Sequence, residues 1–159
     1  MKKEEKFKLI IKEDSFYVNK EGSESVIGII YFDADGYSFP DPSWDDFVVV
    51  LLSWLINRII ELIFDKNKEV EMDFMDGPFK VSIKLDDKNQ CTMNFIEGEK
   101  LDDEEEIIHK TIKVPFDSVK NEVINSCKKV LQIKDPKKMS FNDDYKNLEK
   151  SYNLLLKIS

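Results

Sequence analysis

The chain has 159 residues, 42% hydrophobic, 35% charged and 11% aromatic. That balance fits one soluble globular domain able to bury about 70% of its surface, and it excludes a multidomain machine, a disordered chain and a disulfide-dependent mini-fold. Net charge is −8, and Arg58 is the only arginine among 24 basic residues. Nucleic acid is therefore not an expected partner, because phosphate recognition leans on arginine and two polyanions repel; a basic protein is the natural complement.

Residues 1–12 begin with lysines but contain no apolar stretch of secretory length, so no signal peptide is expected. Phe7, Leu9 and Ile11 alternate with polar neighbours as a half-buried strand does, and Phe16 to Val18 extends it. Val26 to Phe32 is a continuous β-branched run that predicts a strand buried on both faces, closed by turn chemistry at Asp33-Ala34-Asp35-Gly36. Tyr37 to Phe39 returns as a short strand.

Pro40-Asp41-Pro42-Ser43 then predicts a helix start, with Ser43 and Asp46 spaced as a capping box and the helix running over 43–64. Its apolar run from Phe47 to Phe64 is interrupted by Ser53, Asn57, Arg58 and Glu61, which marks a core helix rather than a membrane span. No contact with a membrane is expected.

Two hairpins follow over 69–114. A turn at Asp76-Gly77 pairs Phe74 with Phe79, Met72 with Val81 and Val70 with Ile83 on one face. A second turn through Asp87-Lys88-Asn89, with Asn89 left-handed, matches Leu85 to Cys91, Ile83 to Met93 and Val81 to Phe95 on that same face. The charge-dense segment 97–106 predicts a solvated loop, and Glu106 to Val114 a further strand with Ile108 and Ile112 on the face opposite His109. Two helices complete the chain over 117–159, the first capped at Asp117 or Ser118, the second at Ser140 or Asn142. The expected fold is one α+β domain over 1–159, an antiparallel sheet of about five to six strands packed on a long central helix and two C-terminal helices.

Few residues carry recognisable chemistry. His109 is the single histidine, which removes the usual members of zinc sites and Ser-His-Asp hydrolysis. Cys91 and Cys127 fall on apolar faces and suit packed, reduced thiols of a cytoplasmic protein. Gly22-Ser23 followed by Asp33-Ala34-Asp35 resembles the nucleotidyltransferase pattern, in which paired aspartates hold a divalent metal against triphosphate oxygens, with Asp73 available as a third carboxylate. That family places a helix in the interval, whereas ESVIGIIYF is strand-like. Asp33 and Asp35 read first as turn residues, and no metal or cofactor is expected.

The stretch from Asp33 to Asp46 holds five aspartates and no basic residue, interleaved with Tyr37, Phe39 and Trp44. Aromatic anchors within an acidic rim suit a basic partner, and Asp33, Asp35, Tyr37, Asp41 and Asp45 are the candidate contacts. The structural alternative is that these residues cap, turn and pack.

Two local patterns, Phe39-Pro40 with Trp44-x-Asp46-Phe47, and Phe74-Met75-Asp76-Gly77-Pro78-Phe79, resemble small bacterial proteins of unassigned activity, similar in style to immunity proteins of contact-dependent and polymorphic toxin systems. The resemblance spans roughly residues 26–85 and implies a non-enzymatic protein. The expected function is a cytoplasmic protein-binding module, an immunity-type inhibitor of a basic toxin. The alternatives are a metal-dependent enzyme using Asp33 and Asp35, and a structural module of a larger complex.

Overall fold

Three helices and two four-stranded antiparallel sheets form the computed structural model, which describes residues 4–22, 24–65, 68–98 and 105–159. The α+β class is as expected, but the strands divide into two sheets where one was expected. The N-terminal sheet comprises β1 (Phe7–Val18), β2 (Val26–Ala34), β3 (Tyr37–Phe39) and β4 (Asp45–Phe47). β2 is central, with β1 on one side and β3 and β4 following one another along the other. The Ile30 amide donates to the Trp44 carbonyl at 3.0 Å, so β3 and β4 act as one strand interrupted by the loop at Pro40, whose peptide bond is cis.

Helix α1 (Val48–Phe64) begins five residues later than the capping pattern predicts. Residues 45–47 remain extended because their backbone pairs with Ile27–Ile29 of β2, and Phe47, with no side-chain cap, occupies the helix N-cap. A ladder to a distant strand satisfies three residues' worth of backbone, whereas a capping box satisfies two amides.

The second sheet is a meander of β5 (Glu69–Asp73), β6 (Phe79–Leu85), β7 (Gln90–Glu97) and β8 (Ile107–Pro115). Its registers match the expected ones at Met72–Val81, Val70–Ile83, Leu85–Cys91, Ile83–Met93 and Val81–Phe95. Phe74 lies just beyond β5, yet its amide donates to the Phe79 carbonyl at 2.9 Å, and Asn89 is left-handed at φ 62°. Ile108 departs from expectation: the β7–β8 ladder shifts between Phe95 and Ile96, which turns Ile108 out to solvent while Ile112 stays buried. Most of the loop expected at 97–106 lies outside the described residues.

Helix α2 (Phe116–Leu131) follows Pro115 directly, without the expected side-chain cap, and α3 (Asp143–Ile158) is capped by Asn142, whose Oδ1 accepts from the Tyr145 amide. One apolar cluster runs from Phe7 to Leu155 and takes in both sheets and all three helices. α1 lies at its centre, and α3 covers part of the polar stripe of α1 through a Ser151 to Asn57 hydrogen bond of 3.1 Å. The outer face of β2 is buried at Tyr31 but only half-buried at Ile27 and Ile29, so the expectation of burial on both faces holds over part of the strand.

Candidate functional site

The segment 33–46 separates into an inner and an outer set of side chains. Phe39, Trp44 and Asp46 turn inward. Phe39 packs edge-on against Phe79 and Phe95 at 5.6 and 5.4 Å, and Trp44 against Phe79 and Phe74 at 5.2 and 6.1 Å. Asp46 is fully buried and accepts from the Trp44 indole at 3.0 Å, the Phe47 amide at 2.7 Å and the Asp76 amide at 3.4 Å. This carboxylate thus latches β4 to the β5–β6 turn. Burial pushes its pKa up, and the hydrogen bonds from Phe47, Trp44 and Asp76 offset only part of that.

The five candidate contacts all lie outside this latch, four of them along the β3–β4 edge and the turn that leads to it. Asp35 and Gly36 form the β2–β3 turn with φ of 51° and 92°. Tyr37 is 39% exposed in β3, Asp41 is exposed in the loop, and Asp45 is exposed in β4. Asp33 lies one strand further in and is half-buried. Three of the carboxylates also close loops. Asp33 accepts from the Gly36 amide at 2.7 Å, Asp35 from the Lys6 amide at 3.3 Å, and Asp41 from the Ser43 amide and hydroxyl at 2.8 and 3.0 Å. A carboxylate accepting one or two hydrogen bonds keeps its charge and further lone pairs, so a structural role and a contact role coexist here.

Two other sheet edges carry their own stoppers. The Glu122 carboxylate accepts from the Leu9 amide of β1 at 3.0 Å, and Glu5 accepts from the Lys113 amide of β8 at 3.3 Å. A side chain on an edge amide blocks strand addition there.

Around the metal-enzyme pattern the described residues show a strand and loop-closing contacts. The interval before Asp33 is strand β2, Ser23 lies outside the described residues, and Asp33 and Asp35 are engaged with backbone amides. Among the described residues no group of three or more His, Cys, Asp or Glu is placed so that it could hold a metal ion. His109 pairs with Glu97 at 2.8 Å, and Cys91 and Cys127 are free and buried. Burial, with a smaller contribution from the Asp86 charge, pushes the Cys91 thiol up to about 12, and burial raises Cys127 as well, which disfavours the thiolate at both.

Sequence reasoning missed the outer flat of the N-terminal sheet, where Ile10, Ile27, Ile29 and Phe47 are half-buried outside the core cluster. Its signal is the pair Ile10-Ile11, one of which must face outward from an alternating strand. No helix among the described residues is long and apolar enough to cross a membrane. No known protein family, curated protein or solved structure matches this chain.

Proposed function

We propose that the protein is a binding module that docks a basic protein along the β3–β4 edge, in the manner of an immunity-type inhibitor that masks a basic toxin surface. The observation that carries this reading is the exposure of Asp35, Tyr37, Asp41 and Asp45 along one edge, Tyr37 on the Ala34 side of the sheet and Asp45 on the other, while Phe39, Trp44 and Asp46 anchor that edge from within. A rigidly held acidic rim around an exposed tyrosine supplies long-range attraction and a short-range anchor, with little ordering cost on binding. Free, buried Cys91 and Cys127 support action in a reducing compartment, the cytoplasm.

The test is capture of partners from lysate of the source cells on the immobilised protein and on a variant carrying Asp35→Asn, Asp41→Asn, Asp45→Asn and Tyr37→Ala. Asparagine keeps the loop-closing acceptors and removes the charge. The reading expects a basic protein retained by the parent and lost from the variant. A specific partner retained equally by both would remove this edge as the contact surface.

A further inference from the structure

Paired residues of adjacent strands share a face, so the β1–β2, β2–β3 and β2–β4 registers lay out the outer flat of the N-terminal sheet row by row. Tyr17, Ile27 and Phe47 form one row; Lys12, Ile29 and Asp45 the next; Ile10 and Tyr31 the third; Lys8, Asp33 and Ser38 the fourth. Tyr17 is 50% exposed and Ile10, Ile27, Ile29 and Phe47 are half-buried, whereas Tyr31 is already buried; Leu9, Ile30 and Phe32, which point the other way, belong to the core. The outer flat of the second sheet is mixed, with a polar row beside Ile96 and the exposed Ile108. Ser82, Asn94 and Thr111 cross it as a hydrogen-bonded polar row, with Asn94 donating to Ser82 at 3.2 Å and Thr111 donating to Asn94 at 2.6 Å.

Among the charges that the registers place on the N-terminal flat, Lys8 and Lys12 lie on β1, Asp33 on β2 and Asp45 on β4, while Glu13 and Asp14 of β1 fall in the bulge between the rows. A foreign surface of one sign would be repelled by one side of this face. A second copy turned so that its β1 lies over β4 matches the two signs, with Asp33 alone facing its like.

We infer that this flat is the interface of a homodimer in which two N-terminal sheets stack about a twofold axis running along β2. That axis lays β1 of one copy over β4 of the other, so Lys12 meets Asp45 twice, Tyr17 meets Phe47 twice, and Ile29 packs on its own symmetry mate. An axis across the strands would instead set Lys12 on Lys12 and Asp45 on Asp45. Stacked sheets cross at about 30°, which, pivoting at Ile29, swings the two copies of Asp33 about 7 Å apart and relieves their repulsion.

Three strands by seven residues cover about 300 Å² of flat area per copy, below the roughly 800 Å² per partner of stable complexes, which places the contact in the weak, reversible class. The flat and the β3–β4 edge border one another at Asp45, but the dimer does not depend on the basic-partner reading, and its test uses the protein alone.

Sedimentation velocity of the full chain from about 5 µM to about 500 µM covers the concentrations at which a weak, reversible contact of this size would be populated. The expected result is a reversible shift from monomer towards dimer. Ile29→Lys should abolish the shift, and Lys12→Asp or Asp45→Lys should each weaken it about tenfold, with the double swap Lys12→Asp, Asp45→Lys restoring it. Unchanged circular dichroism keeps Ile29→Lys interpretable, and the restoring swap stands independently of it. A chain that stays monomeric throughout, a dimer indifferent to Ile29→Lys, or a double swap that fails to recover association would each overturn the inference.

Discussion

Asp46 is the residue on which the candidate edge depends. Its two oxygens accept from Phe47, Trp44 and Asp76, so an asparagine there would turn its amino group against one of these donors. Asp46→Asn should cost about 1–3 kcal/mol at neutral pH, measured by urea unfolding. The pH dependence has a definite sign. A carboxyl whose folded pKa lies above its usual 3.8 favours the native state fully below that value, and the contribution is lost as pH rises through the raised pKa. The stability difference between parent and Asp46→Asn should therefore narrow on going from acid towards neutral pH; a gap that widens would contradict the burial assigned to this group. Gly28 is a second sensitive position. A Cβ there would lie 2.3 and 2.8 Å from ring carbons of buried Phe16, which the β1 bulge folds down onto it. Gly28→Ala should cost about 1–3 kcal/mol through overpacking.

At the level of elements, the meander was legible and the start of α1 was not. Val70, Met72, Val81, Ile83, Met93 and Phe95 alternate cleanly, and one turn choice satisfies every pair, so register followed from local pattern. The start of α1 was set by β2, some eighteen residues upstream, and a local capping box carries no information about that partner. The exposure of Ile108 and the split into two sheets are likewise products of a bulge and of tertiary packing. Side-chain caps offer a direct check. Ser43→Ala should change stability by less than about 0.5 kcal/mol, because Ser43 caps no helix, whereas Asn142→Ala should cost about 1 kcal/mol or more. Equal effects, read from chemical denaturation, would argue that α1 begins where the sequence pattern places it. The candidate contacts were legible as a stretch because their composition is local. Which of them face outward depended on the pairing of β3 and β4 with β2.

For the whole molecule, an excess of eight negative charges acts at long range and the exposed edge acts at contact. Steering of this kind is screened over a Debye length of about 8 Å at physiological salt, so it affects association far more than dissociation. A desolvated Tyr37 should act mainly on dissociation. The most direct measurement is the association rate of the captured partner as a function of ionic strength, for the parent and for a variant with Asp33→Asn, Asp35→Asn and Asp45→Asn. The edge predicts a rate that falls about tenfold or more between low and physiological salt in the parent, and a slower, flatter profile in a variant that is still folded. An association rate indifferent to salt and unchanged by the three substitutions would contradict it.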